Sequence, residues 1–263
     1  MFWRIGWKIL SKHNQQTSAY ALTGMPAAGK TTTAQMLSAV DFQVYEIGDA
    51  VRYIIKDYEH DISEIGPFLE DHKSKHGQYS LAERTVDLYE EDQPTNKVPV
   101  IAGLRQVEER EYLEDKFDNV DTFAVIADQD IRRERFYNRG REEDESFEER
   151  DIREWNIGVG DLTRESDRRI ENEGSFEDLA MELIETFDFN PNLYSINKIG
   201  DSVGQHLYAI HFENHKDAKK YSENPGNGFQ VGNPIVSRDT ESRHQIETDI
   251  QNFYTNMMTE AVK

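Results

Sequence analysis

Gly24-Met25-Pro26-Ala27-Ala28-Gly29-Lys30-Thr31 fits the pattern G-x-x-x-x-G-K-[ST], and the residues on either side of it decide the reading of the fold. The run Ala19–Thr23 before it has the length and composition of a buried strand, and Lys30–Val40 after it reads as a helix. In that setting the glycines let the backbone curl until successive N–H groups face an anion, at the positive end of the following helix. Lys30 then reaches the β- and γ-phosphates of a nucleotide. The Thr31 hydroxyl, with Thr32 beside it, lies where Mg²⁺ would be ligated. Without the flanking strand and helix, the same letters would describe only a glycine-rich turn with an exposed lysine.

Outward from this motif the chain alternates. Strand-like runs recur at Phe42–Ile47, Val98–Ala102, Thr122–Ala127 and, more weakly, Arg168–Glu171. Between them lie helical stretches: a long polar region over Ala50–Glu90, then Val107–Lys116, Asp130–Arg139 and Ser175–Phe187. Strands alternating with helices imply βαβ units and an α/β fold whose parallel sheet is covered on both faces. Phe189–Asn192 reads as a linker. Residues 189–263 then predict a small α+β extension with a strand at His206–Phe212 and a loop at Glu223–Pro234. The final helix carries Ile246, Ile250, Phe253 and Met257 on one face, which serves either as core or as a docking face for a protein partner.

The 263 residues include 51 acids against 30 Lys and Arg, for a net charge of −21, and no cysteine. The last fact excludes a disulfide scaffold, a thiol nucleophile and Cys-ligated metal. The charge argues against nucleic-acid binding, which draws its affinity from basic residues on phosphates. No apolar run reaches the roughly 20 residues of a membrane span, so a cytoplasmic location is expected. Residues 1–18 carry Arg4, Lys8 and Lys12 with no acid and read as a basic, aromatic tail, or a strand or turn packed on the core. They lack the apolar run and small-residue site of a secretory signal. The acidity belongs to residues 19–188, where only six of the basic residues are Lys. Such a surface suits solvation at high salt.

Basic residues cluster where a phosphate would sit. Asp49 and Arg52, in Gly48-Asp49-Ala50-Val51-Arg52, follow the second strand at the sheet edge where α/β proteins bind ligands. There Arg52 would grip an acceptor's phosphate and Asp49 would orient its hydroxyl or a metal-bound water. The alternative is a helix start, with Asp49 as its cap and Arg52 in solvent. Arg105 follows the third strand in the same way. From Arg132 to Arg153 there are seven Arg and no Lys. Arg139 and Arg141, with Arg135, are the members best placed to act as a mobile lid, while others pair with the acidic run Glu142–Asp151. The histidine spacings make no convincing metal site.

The ordered set TGMPAAGKTT, EIGDAVR, AGLR, NRGREED, SFEERDIREWNIG and ENEGSFEDL resembles a family of small archaeal P-loop proteins described as dephospho-coenzyme-A-kinase-like or adenylate-kinase-like. The likeness covers about residues 19–188. It implies a nucleoside-monophosphate-kinase-like fold with a five-stranded parallel sheet, an acceptor-binding insertion near 52–92 and a lid near 139–151. It also implies ATP and Mg²⁺ as cofactors and a nucleotide-like small-molecule acceptor. The phosphate loop would be Gly24, Met25, Pro26, Ala27, Ala28, Gly29, Lys30 and Thr31. Arg52 and Arg105 would bind the acceptor. Two positions depart from the family pattern, which has Asp at 102 and Gly at 27, where this chain has Ala at both. The resemblance thus implies a kinase, and the departures leave open an ATP-binding regulator or scaffold with weak or lost catalysis.

Overall fold

The computed structural model describes residues 18–263 apart from 41, 58–64, 93–97, 140–144, 188–193, 203–204, 213–214, 224–228, 233–234 and 241–242. The basic segment before Ser18, and Arg141 with residues 140–144 of the expected lid, lie outside the described residues. β1 (Ser18–Thr23) is the central strand, parallel to β3 (Pro99–Ala102) on one side and to β4 (Asn119–Ile126) on the other. β2 (Gln43–Glu46) and β5 (Arg168–Glu171) complete a five-stranded parallel sheet of order β2-β3-β1-β4-β5. Because both faces are covered, the central strands are apolar at successive positions: Val100, Ile101 and Ala102 are all buried.

Alternation along each strand sorts the core into two layers. Leu22, Val100, Phe123 and Val125 pack with Leu37 of α1 (Lys30–Ala39) and Leu183 of α9 (Phe176–Thr186). Ala21 and Ile101 face the opposite layer. That layer holds Ile54 of α2 (Ile47–Asp57), Val86 of α4 (Ser80–Glu91), Leu113 of α5 (Val107–Lys116) and Leu162 of α8 (Val159–Glu165). Among the described residues, the polar region expected over Ala50–Glu90 holds three helices, with α3 (Ile65–His76) between α2 and α4. After α6 (Gln129–Asn138), the acidic run contains the start of a helix that the sequence reading left unassigned, α7 (Phe147–Asn156). Its start is a capping box. The Glu149 amide donates to Ser146 Oγ, and the Glu149 carboxylate accepts from the Ser146 amide at 2.9 Å.

Beyond α9 a second sheet is antiparallel, with order β6-β7-β9-β8. Its strands are β6 (Tyr194–Ser202), β7 (Gln205–Phe212), β8 (Phe229–Gly232) and β9 (Ile235–Thr240). The sequence reading anticipated only β7 and placed a loop where β8 lies. α10 (His215–Ser222) and α11 (Arg243–Glu260) complete the chain. The face of α11 differs from the expected one: Ile246, Ile250, Tyr254 and Met258 are fully buried, and Phe253 and Met257 are only partly so. Steps of four keep these residues on one ridge. The ridge enters the same cluster as Leu37 and Leu183, so the helix spends its apolar face inside the chain rather than offering it to a partner.

Among the described residues no helix is long and apolar enough to cross a membrane. The surplus of negative charge predicts a salt response. Between about 0.1 and 2 M KCl the screening length falls to a few Å, which weakens this self-repulsion, and the melting temperature should rise. A melt that falls, or stays flat, across that range would reject the high-salt reading of the surface.

Candidate nucleotide-binding site

The loop from β1 to α1 turns through Gly24 (φ 146°) and Gly29 (φ 109°). A Cβ on Gly24 would lie 2.4 Å from the Val125 carbonyl oxygen, and one on Gly29 would lie 2.1 Å from the Asn172 amide nitrogen. Both positions therefore require glycine. Ala27, at φ 60°, is the only non-glycine among the described residues in the left-handed region. That conformation costs an L-residue about 1–2 kcal/mol. The carbonyls of the loop are held by side chains. Lys30 Nζ donates to Gly24 O at 2.6 Å and to Met25 O at 3.2 Å. Arg132 Nη1 donates to Pro26 O at 3.2 Å and Asn172 Nδ2 to Ala28 O at 2.8 Å. The first-turn amides of α1, which have no carbonyl one turn earlier to bond, are the donors left for an anion.

Above the loop lies a cleft of about 710 Å³, within the range of small-molecule sites. Lys30, Thr31 and Thr32 form its floor, Arg105, Arg139 and Arg150 its cationic wall, and Asn172 and Phe176 its far side. The Lys30 ammonium sits deep at the base, although part of the residue remains accessible. Its pKa falls from 10.5 to about 7, chiefly because burial strips its water and then because Arg105, Arg150 and Arg139 repel it. Glu154 opposes this shift. This buried carboxylate of α7 lies 3.5 Å from Arg105 Nη1 and 3.2 Å from Arg153 Nη2. The repulsion that Lys30 meets from these arginines is relieved when a polyanion enters.

Arg105 is placed by the end of the sheet. The Gly103 and Leu104 amides donate to Leu22 O, and Thr23 Oγ1 donates to Leu104 O at 2.9 Å. The Arg105 amide then donates to the buried Glu109 carboxylate at 2.7 Å. Burial pushes the Glu109 carboxyl up, against the pull of Lys73 and two backbone amides. Asp49 and Arg52 are placed differently from the other candidates. α2 begins directly at the end of β2, so both lie in its first turns, exposed and paired with each other, and neither lines the cleft. Ala102, at the position where the resembled family has Asp, is buried among apolar side chains.

Two cleft residues, and a buried carboxylate beside the cleft, received little weight in the sequence. Arg150 was one of seven arginines without a distinguishing signal. Asn172 follows β5 at the sheet edge, where the strand-end rule that picked out Arg105 applies equally. Glu154 sits in a helix the sequence reading did not assign. For a metal ion, Thr31 supplies a hydroxyl beside Lys30, and no group of three or more His, Asp or Glu capable of caging one exists among the described residues. This set fits Mg²⁺ held mainly by phosphate oxygens and water rather than by a protein cage.

Residues 21–156 match the AAA domain family AAA_18. A UPF0200 protein of Methanothermobacter thermautotrophicus is 31% identical over 157 residues, which cover 58% of this chain and 80% of that protein. A UPF0200 protein of Methanopyrus kandleri is 35% identical over 158 residues, covering 58% and 79%. Dephospho-CoA kinase from Campylobacter jejuni superposes with a TM-score of 0.41 at 15% identity, over 66% of this chain and 98% of that one. A likeness of that size says nothing about substrate. With its phosphate loop and the cleft residues Arg105, Arg139 and Arg150 inside the matched region, the chain belongs to the AAA domain family over residues 21–156 and to the UPF0200 proteins.

Proposed function

We propose that the chain is an ATP- and Mg²⁺-dependent kinase that transfers the γ-phosphoryl group to a nucleotide-like acceptor, either a nucleoside monophosphate or dephospho-coenzyme A. The observation that carries this reading is the glycine loop with buried Lys30 at the base of a cleft that Arg105, Arg139 and Arg150 also line. Lys30 and the amides of the first α1 turn hold the donor phosphates. Arg139 and Arg150, with Arg141 from the lid, stabilise charge on the transferring group. Arg105 holds the acceptor's phosphate. Asp49 and Arg52 reach the acceptor from the second-strand edge after exchanging their mutual pairing for it. Thr31 would ligate Mg²⁺, which neutralises phosphate charge when bound. Catalysis of this kind is positioning and electrostatics, so no nucleophilic side chain is required.

Native mass spectrometry tests the donor site. One ATP should be retained per chain with Mg²⁺ present, and no retention at millimolar ATP would remove the nucleotide reading.

Ala102 favours a second reading, a nucleotide-binding regulator with little catalysis, because a methyl replaces the carboxylate that would steady the metal shell. The Ala102→Asp variant separates the two. If another group already serves the metal, its transfer rate should stay within about threefold of wild type. A rise of about 100-fold would mark the natural chain as catalytically impaired. Thermal melts of the variant check that a carboxylate at this buried position is tolerated.

A further inference from the structure

Ala27 occupies a conformation that alanine abandons when it is free to do so, and strained residues persist only where their surroundings over-determine them. The chain is gripped on both sides of Ala27, at the Pro26 carbonyl before it and at the Ala28 carbonyl one peptide unit beyond it, and between them the Ala28 amide donates to Met25 O at 3.2 Å. On one side, Arg132 Nη1 donates to Pro26 O at 3.2 Å. The Arg132 guanidinium is almost wholly buried and already committed. It forms a bidentate pair with Asp151 of α7, and its Nε donates to Ala127 O at 3.3 Å. With its charge matched by Asp151, it serves the loop as a fixed donor rather than as a phosphate ligand.

On the other side, Asn172 Nδ2 donates to Ala28 O at 2.8 Å. Asn172 is also buried and anchored at its backbone: its amide donates to Ile126 O at 2.9 Å, and its carbonyl accepts from Arg135 Nη1 at 2.7 Å. Between these two grips the Ala27 methyl rests against Phe136 of α6 and Phe147 of α7. The grips lie 106 and 144 residues from their targets, so they belong to the tertiary fold and not to the loop.

We propose that Arg132 and Asn172 are positioning residues that clamp the Pro26 and Ala28 carbonyls, forcing Ala27 into the left-handed turn that shapes the anion-binding loop. They do by constraint what a glycine at position 27 would do by its own freedom. The clamp rests on the anion-binding reading given above, so its test begins with the protein alone.

The experiment is a double-mutant cycle read by hydrogen exchange of the loop amides, including that of Ala28, which is bonded to Met25 O at 3.2 Å. Asn172→Ala should speed loop exchange by about tenfold or more in the Ala27 protein, and by less than about threefold in the Ala27→Gly background. Arg132→Lys, which keeps a cation for Asp151, should show the same dependence on background. If Asn172→Ala fails to melt as a folded protein, Asn172→Asp replaces it, placing an acceptor against the Ala28 carbonyl. Equal acceleration in both backgrounds, a larger one with glycine, or none in either would overturn the clamp. ATP affinity is then measured on the same four proteins. Coupled exchange with no ATP binding in any of them would remove the nucleotide reading and leave the clamp standing. ATP affinity that falls only where exchange rises supports both.

Discussion

Lys30→Met is expected to weaken ATP binding by at least about 100-fold, the worth of two charge-assisted hydrogen bonds to phosphate. The methionine keeps most of the stem and removes only the ammonium, so the melt should change little by comparison. The variant should also lose a proton uptake. In the free protein the Lys30 pKa is about 7, so at pH near 8.5 the amine is largely neutral, whereas phosphates beside it favour the ammonium. Binding of ATP, itself fully ionised there, should draw close to one proton from the buffer. Calorimetry in two buffers of different ionisation enthalpy reads this directly: the wild-type enthalpies should differ and those of the variant should coincide. Equal wild-type enthalpies would mean that no depressed lysine meets the phosphates. The same shift has a stability consequence. From about pH 7 to 10.5 the unfolded chain retains a proton that the folded one has released, so wild type should gain stability relative to the variant as pH rises through that window.

Tyr254→Ala should destabilise the chain by about 3–5 kcal/mol, the range for removing a large buried aromatic. Tyr254 is fully buried in α11, stacks on Tyr194 with ring centroids 6.1 Å apart and donates to the buried Asp217 at 3.3 Å. Its cluster includes Leu37 of α1, the helix that presents the phosphate loop. Denaturant unfolding should therefore show a lower midpoint both for the C-terminal tyrosines and for loss of ATP binding. Tyr254→Phe, which removes only the hydroxyl, should cost about 1 kcal/mol. A Tyr254→Ala protein within about 1 kcal/mol of wild type would contradict the packing of α11 into this core.

These two residues also mark how far the sequence could be read. Lys30 sits in a local pattern, a strand and a helix around a glycine loop, and its role follows from spacing. β1, β3 and β4 were legible for a similar reason, since parallel strands buried on both faces read as short apolar runs. Tyr254 was missed because α11 offers two overlapping apolar faces, and Phe253 and Met257 are as apolar as the pair that enters the core. α7 was hidden by composition: it lies in an acidic, arginine-rich run, only Phe147 and Glu154 of its residues are buried, and its Ser146/Glu149 cap was the better signal. The Gly48–Arg52 stretch reads either as an acceptor-binding edge or as a helix start with Arg52 in solvent, and the helix is what forms, begun by buried Ile47 so that Asp49 lies in its first turn rather than at its cap. The grips of Arg132 and Asn172 on the loop had no local signature at all. By contrast, the alanine at position 27, where the resembled family has glycine, stands out in the sequence, and with φ at 60° it occupies the left-handed region that glycine favours.

The central claim is phosphoryl transfer, and it is tested most directly by supplying ATP and Mg²⁺ with a panel of nucleoside monophosphates and dephospho-coenzyme A while following ADP and phosphorylated acceptor together. The account predicts acceptor-dependent ADP formation with at least one member of the panel, and its loss in Lys30→Met. Intact ATP binding with no transfer to any acceptor would contradict it.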